Sequence, residues 1–454
     1  MGILPERPLY RRLFLAGLVL GVLFCGVAGW AFFQLGGLQG RIDAIRATGD
    51  PATIADLAPT AFPPEEEDAA AQLAAVASRV EDFGREMYRF DKTPLGVAYE
   101  EQNERGEAAT AEQLDAMRVI VEKYPDVAAA IKRAAACSHY ASRLDYRLPQ
   151  PQFIESMHPG TTNIRGVARF VGWQMKLSIA QGRIDAAVEQ GIELLRLAAL
   201  YDDGEPGLVS SQMANAVRGL AIEEIYKALM ADAAADENLI TPALRQELDR
   251  ELARFDDSEI LRHAVTTERA LVISATQYQL DVCMSPIVAN TIGLPMKTMY
   301  LESIDSIPPV LAIVDQPWYV TFQTGKPNIF QPTTSQGVMA DMLAPAFKYQ
   351  FDMVHRTGAM LRALRVANAL QQYAVEHGKE ASGIGDLGLP PEVTDDPFTG
   401  KPLTAKLING RWQVYSVGVN GVDDGGDFRD HKDVGVGPSK PGSANNEDTG
   451  DQNE

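Results

Sequence analysis

The residues best suited to chemistry lie in an acidic, glycine-rich stretch near the end of the chain. Asp423, Asp424 and Asp427 occur there together with Asn420, several glycines and two further aspartates. Ca²⁺ takes about six to eight oxygen ligands from carboxylates and backbone carbonyls, and glycines let the backbone curl around such an ion. We therefore take Asp423, Asp424 and Asp427 as candidate calcium ligands, although their spacing differs from that of an EF-hand. A solvated acidic loop is the alternative.

The remaining sequence predicts no catalytic residue. None of the six histidines occurs in an HExxH or similar metal-binding spacing, and GxSxG, Walker A and GxGxxG elements are absent from the sequence. Cys137 and His139 are two positions apart, so on a helix they would point away from each other. Cys137 and Cys283 are too far apart in sequence to predict whether they pair. A hydrolase using acidic residues brought together by folding is the remaining enzymatic alternative.

The acidic stretch follows a predicted β-hairpin. Asn409-Gly410 suits a two-residue type I′ turn, which needs positive φ at both central positions. That turn predicts a hairpin with one mostly apolar face and one polar face. The pairs on the apolar face are Leu407 with Trp412, Ala405 with Val414 and Leu403 with Ser416. The pairs on the polar face are Lys406 with Gln413 and Thr404 with Tyr415. An isolated hairpin is marginal in water, so the apolar face should pack on the preceding helix, predicted over 346–377.

Short motifs follow one another through this region in a recognisable order. They are Tyr373-Ala374-Val375-Glu376-His377-Gly378, Asp396-Pro397-Phe398, Gly400-Lys401-Pro402-Leu403, Tyr415-Ser416-Val417-Gly418, Asn420-Gly421 and Asp424-Gly425-Gly426. This order resembles the globular end of the major pseudopilins of type II secretion, a family with a long helix and a small sheet whose acidic loop holds calcium. The resemblance implies an α+β cassette over 346–436, with Asp423, Asp424 and Asp427 among the calcium ligands.

Residues 13–36 predict a transmembrane helix. Between Arg12 and Arg41 the sequence has no charged residue, and about 20 apolar residues suffice to cross a bilayer. Three arginines precede this segment, which by the positive-inside rule leaves residues 1–12 in the cytoplasm and exports the rest. The run is longer than a signal-peptide core, so we favour an uncleaved anchor over a cleaved signal. We expect a single-pass protein of the bacterial inner membrane, mostly periplasmic and in contact with lipid through 13–36.

Small residues recur every four positions in this segment, at Gly17, Gly21, Cys25 and Gly29. On a helix they would form one stripe, along which two transmembrane helices can approach closely. A homodimer through this stripe is one interpretation. The other is that small residues are simply common in membrane spans.

The exported part divides by composition. Residues 37–68 are rich in proline and end in an acidic run, which predicts a linker whose carboxylates cap the next helix. Residues 69–285 predict a succession of amphipathic helices. Residues 286–345 contain eight prolines and several aromatics, which predicts an irregular segment of functional or flexible character. Residues 437–454 predict a disordered tail.

Two helices of this domain, over 165–180 and 185–201, predict an antiparallel hairpin that turns at Gly182. The pair resembles a single tetratricopeptide unit, with Ala168, Gly182 and Ala187 near its small-residue positions. The unit does not recur with a 34-residue period. An adaptor that binds partners through a helical groove is therefore one functional hypothesis.

Together these patterns predict a mainly α-helical protein: a transmembrane helix, a multi-helix exported domain and a small C-terminal α+β cassette. The net charge of −20 disfavours nucleic acid as a partner, because binding a polyanion needs a basic surface. The whole layout is similar to large families of bacterial single-pass envelope proteins. We expect a non-enzymatic scaffold or binding module, with other envelope proteins as partners and an association with secretion-like machinery.

Overall fold

The computed structural model describes residues 37–104, 107–235, 238–281, 301–323, 338–429 and 432–438. Within these ranges the chain is mainly helical and has a small three-stranded sheet near its C-terminal end, as the sequence predicts. The expected transmembrane helix over 13–36, with its stripe of Gly17, Gly21, Cys25 and Gly29, lies outside the described residues. Among the described helices, none combines the length and the apolar character needed to cross a membrane.

The helices of the described ranges fall into a long N-terminal series, a short middle group and one long C-terminal helix. In chain order they are α1 at 37–47, α2 Ala69–Ala74, α3 Ala77–Asp91, α4 Pro94–Glu104, α5 Ala111–Val121, α6 Pro125–Ala135, α7 Gln150–Ala180, α8 Ile184–Gly204, α9 Leu208–Ala233, α10 Pro242–Leu252, α11 Asp257–Asp281, α12 at 301–305, α13 Ile307–Val314, α14 Trp318–Gln323, α15 Val338–His377 and α16 Pro391–Thr394. The strands are β1 Thr404–Ile408, β2 Arg411–Ser416 and β3 Val434–Val436.

Helices α7, α8 and α9 form the centre of the helical body. The predicted hairpin of α7 and α8 is present, and Gly182 takes a positive φ of 72° at its turn. Helix α7 begins at Gln150, earlier than predicted, and continues through Pro159. The main core surrounds these helices, and its aromatic centre is Phe83, which packs edge-on against Phe170 and Trp173. The hairpin is therefore an interior element of a larger helical body.

The segment 37–68 differs from the expected free linker. Its first part is helical, and Leu38 and Ile42 are buried in a small core with residues of α11 and α12. Arg41 forms an ion pair with Asp305 at 2.5 Å, which fixes α1 to α12. The physical reason is that burying the apolar side chains on one face of this short helix removes apolar surface from water, which lowers the free energy of the folded chain. The predicted capping is confirmed, because the Asp68 carboxylate accepts a hydrogen bond from the Ala70 amide at 3.0 Å.

The described parts of 286–345 are helical, so the expectation of an irregular segment is wrong for them. Pro308 and Pro309 occupy the first turn of α13, where a missing amide hydrogen does no harm. The long helix α15 starts at Val338 and includes Pro345, whereas the sequence predicted its start at residue 346. Its predicted end at His377 is confirmed, and Gly378 follows with φ of 65°. Residues 282–300 and 324–337 lie outside the described ranges.

The C-terminal cassette has the predicted hairpin with the predicted register over the paired strand residues. Leu407 lies opposite Trp412 and Ala405 opposite Val414, and the turn residues Asn409 and Gly410 both take positive φ. Strand β3 adds a third, antiparallel strand beside β2, which the sequence did not predict. The sheet packs on α15 and α9, and the Tyr226 hydroxyl donates to the Trp412 carbonyl at 2.8 Å.

Both faces of β2 are covered, contrary to the prediction of one polar face. Trp412 and Val414 belong to the main core. On the other face Gln413 and Tyr415 are also buried, under the loop that leads to β3. Leu407, expected on the packed face, is 45% exposed because it lies at the turn end of the hairpin. The cassette is thus a fixed part of the helical body and shares its core.

Candidate functional site: a cleft between the helical body and the cassette

A cleft of about 460 Å³ lies where the helical body meets the C-terminal cassette. Its walls come from the α10–α11 connection, the start of α14, one face of α15 and the segment 391–397. Such a volume lies within the range of about 300–1,000 Å³ that is typical of small-molecule sites. The cavity brings together polar side chains that are far apart in sequence, from Asp256 to Asp396.

The floor of the cleft is a hydrogen-bonded pair of Asp257 and His355. The Nδ1 atom of His355 lies 3.2 Å from Oδ2 of Asp257. Because a carboxylate only accepts, Nδ1 carries the hydrogen, which leaves Nε2 as an acceptor in the neutral ring. The indole of Trp318 stacks on the imidazole, with ring centroids 4.7 Å apart and planes 15° from parallel. The imidazole is therefore held in place by a hydrogen bond and by a stacking contact.

The local sequence explains how these groups are positioned. Asp256 precedes α11, and its carboxylate accepts from the amides of Ser258 and Glu259 at 2.9 and 3.0 Å, which fixes the first turn that contains Asp257. On α15 the residues His355, Gly358, Arg362 and Arg365 recur at spacings of three and four, so they lie on one face of the helix.

Asp257 is held as a carboxylate. Burial alone would raise its pKa, but the hydrogen bond from His355 and the positive charge of Arg362 outweigh burial and lower the pKa below its usual range. Arg362 lies 3.3 Å from Oδ2 of the same carboxylate. Gly358 allows α15 to pass close by, since a Cβ atom at that position would lie 2.7 Å from Oδ1 of Asp257.

Three buried polar atoms around the cleft have no hydrogen-bond partner within the described part of the chain. They are Oδ1 of Asp257, Nε2 of His355 and Nε1 of Trp318. His355 and Trp318 are only 5% and 7% exposed, so bulk solvent does not satisfy these atoms. Most buried polar groups in folded proteins are paired, and an orphaned group calls for an occupant such as water or a ligand. Three orphans around one cavity make the cleft the strongest candidate site.

The arrangement resembles half of a nucleophilic triad, but the described residues do not complete one. Ser258 lies on the cleft wall, and its hydroxyl donates to the Val314 carbonyl at 3.1 Å instead of to the imidazole. Catalysis by a hydroxyl needs that hydroxyl to bond to its base. The described residues of the cleft therefore do not form a nucleophilic triad.

In the predicted calcium loop the candidate ligands accept hydrogen bonds from different protein donors. Asp423 accepts from the Tyr415 hydroxyl at 2.9 Å and from a backbone amide in its own loop at 2.8 Å. The Asn420 amide donates to Asp424 at 2.7 Å. These contacts support the loop without an ion.

Asp427 takes part in the clearest ion pair of this loop. The Arg429 guanidinium donates two hydrogen bonds to its carboxylate, at 2.8 and 2.9 Å, and these hold the pKa of Asp427 well below its usual range. Lys432 lies 3.4 Å from the same carboxylate. Within the described residues no group of three or more carboxylate, histidine or cysteine side chains could hold a metal ion. The described side chains thus do not fit a calcium cage in this arrangement, and calcium binding stays a prediction.

A second, smaller cavity of about 320 Å³ lies between α7 and α11. Its lining is mostly apolar and, within the described residues, contains one carboxyl group, that of Glu268. Burial raises the pKa of Glu268, and its Oε2 accepts from the Leu208 amide at 3.0 Å. A hydrolase of the kind considered from the sequence needs two carboxyl groups facing one substrate. The lining of this cavity does not provide that pair.

Of the two cysteines that follow the apolar segment, Cys137 lies within the described residues. Cys137 is a free thiol that lies 3.4 Å from the Arg133 carbonyl, and burial raises its pKa. Cys283 lies outside the described residues. Pairing between them stays untested.

Comparisons of the chain with models of protein families, with curated proteins and with solved structures find no match. The resemblance to pseudopilins therefore rests on the sequence motifs alone.

Sequence reasoning did not identify the cleft. Asp257 and His355 are 98 residues apart, and no short motif surrounds either of them. One signal was available, because the proline- and aromatic-rich segment 286–345 was expected to be functional or flexible, and it contains Trp318. The structure places this tryptophan against the imidazole of His355.

Proposed function

We propose that the protein is a non-enzymatic binding module of the bacterial envelope, held at the inner membrane by residues 13–36 and exposing its cleft on the periplasmic side. The observation that supports this function is the cluster of orphaned polar atoms on Asp257, His355 and Trp318 around one cavity. These atoms are covered in the structure, so a ligand would reach them only as the lining shifts to admit it; complementary groups on that ligand would then recover the free energy lost by their burial.

A binding role fits the electrostatics better than acid–base catalysis does. A catalytic carboxylic acid works best with its pKa raised towards the operating pH. Asp257 has the opposite shift, because His355 and Arg362 stabilise its charged form. Its carboxylate is suited to orienting the imidazole and a ligand.

The membrane and partner parts of the proposal come from the sequence. The apolar segment 13–36 and the arginines before it support a single-pass anchor. The motifs of the cassette support an association with secretion-like machinery and with other envelope proteins. The long distance in sequence between anchor and cassette favours a peripheral role in such machinery over assembly into a pseudopilus.

The test is ligand-dependent stabilisation of the full-length chain in detergent. A compound set divided into cationic, neutral and anionic members should contain some that raise the melting temperature, because a ligand that binds only the folded state stabilises it. Trp318→Leu should abolish that rise, whereas Trp173→Leu, a substitution in the distant core, should lower the starting stability and retain the rise. If no compound of any charge raises the melting temperature, the proposed function is wrong.

An adaptor is the second candidate, and one observation favours it. A groove of about 1,060 Å³ with mostly apolar lining runs between α3 and α7, beside the part of α7 that enters the tetratricopeptide-like hairpin. Tyr88 is 62% exposed on its edge, although large apolar side chains are usually buried. Tyr88→Glu should then reduce co-purification of envelope proteins that accompany the native chain. Equal recovery with Tyr88→Glu and with the native chain would exclude the adaptor.

A further inference from the structure

The cleft has an excess of negative charge among the residues that line it. Six carboxylates and two arginines do so: Asp256, Asp257, Asp315, Glu392, Asp395 and Asp396, against Arg362 and Arg365. These eight side chains sum to a net charge of −4, with His355 left out of the sum. Clefts lined by one sign of charge concentrate ligands of the other sign.

The two arginines do not offer a free site for an anion. Arg362 is paired with Asp257 at 3.3 Å, and Arg365 is paired with Asp249 at 2.8 Å. An anionic ligand would have to displace one of these carboxylates and would meet the remaining acidic side chains. The lining therefore disfavours an anion.

Several of these carboxylates already have protein partners. The carboxylates without such partners among the described residues lie at one edge of the cleft. Asp315 pairs with Arg262, and Asp396 accepts from the Phe398 amide, the Ser416 hydroxyl and the Val417 amide. Glu392 and Asp395 form no ion pair or side-chain hydrogen bond within the described part of the chain. Glu392 is exposed and Asp395 is half-buried, so both are accessible to a ligand.

The orphaned atoms of the floor favour the same kind of ligand. Oδ1 of Asp257 is an acceptor, and Nε2 of His355 accepts whenever Nδ1, the atom that faces that carboxylate, carries the only ring hydrogen. A ligand rich in N–H donors would pair with both. The third orphan, the indole N–H of Trp318, is a donor and would take an oxygen of the ligand or a water molecule.

We propose that the cleft binds an organic cation, namely an ammonium or guanidinium group on a short chain, between Glu392 and Asp395 at the edge and His355 at the floor. This inference rests on the proposed function and names its ligand class. A metal ion is a poorer fit, because within the described residues no group of carboxylates and histidines is arranged to coordinate one. Trp318 and Tyr319, which also line the cleft, suit the methylene groups of such a chain.

The test is calorimetric titration of the full-length protein in detergent with agmatine, a short chain with an ammonium group at one end and a guanidinium group at the other. Glutarate and pentanol serve as anionic and neutral probes of similar length. N-acetylarginine amide distinguishes a cation on a peptide from a free amine. The expected result is binding of agmatine or of the arginine amide, with no heat of binding from glutarate or pentanol.

A matched pair of double variants locates the cation. Glu392→Gln with Asp395→Asn should weaken binding by about tenfold or more, which corresponds to about 1.4 kcal/mol. Glu101→Gln with Glu189→Gln makes the same change in net charge at two exposed sites outside the cleft. This control should change the dissociation constant less than about twofold, because surface charges far from a site are screened by salt.

The outcomes separate this inference from the proposed function. If glutarate or pentanol binds and the cations do not, the cation inference is wrong and a binding module remains. If a cation binds equally to both double variants, the cation does not occupy this cleft and the inference is wrong. If none of the probes binds, and no member of the wider compound set raises the melting temperature, both the inference and the proposed function are wrong.

Discussion

Glu205 is a buried carboxyl group whose protonation should contribute to how stability depends on pH. Its side chain is 2% exposed, and it forms no ion pair within the described residues. Burial raises its pKa from 4.5 to about 7; the Ser142 hydroxyl opposes this rise and the nearby charge of Asp68 adds to it. Between these two values the folded chain keeps a proton that the unfolded chain has released. The free energy of unfolding should therefore fall as the pH rises from about 4.5 to about 7.

Glu205→Gln should remove the part of this dependence that Glu205 contributes. The variant stays neutral at all pH values, so above about pH 7 it should be more stable than the native chain by about 1–3 kcal/mol, and near pH 4.5 the two should be similar. The measurement is denaturant unfolding of both proteins across that range. Glu101→Gln, at an exposed position, is the control, and its free energy of unfolding should change with pH in the same way as that of the native chain. Parallel pH profiles for Glu205→Gln and the native chain would show that Glu205 does not titrate in this way.

Gly358 is a residue where the usual effect of a glycine-to-alanine change should be reversed. In a helix, alanine is normally favoured over glycine by about 1 kcal/mol. At Gly358 the added Cβ would lie 2.7 Å from Oδ1 of Asp257, so the carboxylate would have to move. Gly219, within α9, has open space around its Cβ position. We expect Gly219→Ala to stabilise the protein by up to about 1 kcal/mol and Gly358→Ala to destabilise it by about 1–3 kcal/mol.

Chemical denaturation of the two glycine variants measures this difference directly. Gly358→Ala should also lower the affinity of the cleft for its ligand, because the added methyl group displaces the Asp257–His355 pair. Gly219→Ala should leave that affinity unchanged. Equal stabilisation by both substitutions would mean that α15 and α11 do not approach as closely as the structure indicates.

Among individual residues, the sequence alone predicted the turn at Asn409-Gly410 but did not predict the cleft around Asp257 and His355. Asn409-Gly410 specifies its own backbone geometry, so a hairpin and its register follow from two adjacent residues. The pair of Asp257 and His355 depends on how α11 and α15 pack, and nothing local to either residue encodes that contact. The candidate calcium ligands are close together in sequence. In the fold, however, Asp427 accepts a hydrogen bond from Arg429 and Asp423 accepts one from Tyr415.

Between elements, a buried polar network joins three helices of the body. Arg245 of α10 forms an ion pair of 2.5 Å with Asp232 of α9 and donates to Asn368 of α15 at 2.8 Å. Asp232 also accepts from the amides of Leu239 and Ile240, which fixes the connection between α9 and α10. The two charged side chains are 2% and 4% exposed, so neither can turn to solvent without moving a helix.

Asp232→Ala should therefore be strongly destabilising. It leaves the Arg245 guanidinium buried without its counter-ion, and breaking a buried pair in this way typically costs about 3–5 kcal/mol. Glu122→Gln, which breaks the exposed pair with Arg118, is the matched control and should change stability by less than about 1 kcal/mol. Urea unfolding of both variants makes the comparison. A loss below about 1 kcal/mol for Asp232→Ala would mean that solvent reaches Arg245 in the folded protein.

Element boundaries followed from sequence where a local signal exists. The end of α15 at His377 was predicted from the glycine that follows it, and Gly378 takes the left-handed conformation expected there. Strand β3 was missed, since three residues are too few for a periodic pattern. The burial of Gln413 and Tyr415 was missed for a related reason: the loop that covers them has no regular structure of its own.

The whole molecule joins the cassette and the helical body into one unit, although their sequences differ in character. Trp412, Val414 and Val436 of the sheet belong to the same core as the central helices. Helix α15 contributes to both parts and lines the cleft between them. A cleft made by two independently mobile parts would vary in shape, whereas one bounded by a shared core keeps its polar groups in place. This shared core supports the proposal that the cleft binds a ligand selectively.

The shared core predicts that the cassette and the body unfold together. Amide hydrogen exchange of the full-length chain should give similar free energies of opening, within about 1 kcal/mol, for the protected amides of β2 and of α9, because a single cooperative unit opens as a whole. Tyr226→Phe removes the hydroxyl that donates to the Trp412 carbonyl and should lower both values together by about 1 kcal/mol. Tyr88→Phe, at an exposed site on α3, is the control and should lower neither. If β2 exchanges at a free energy several kcal/mol below that of α9, the cassette opens by itself, and the cleft cannot be the fixed site described above.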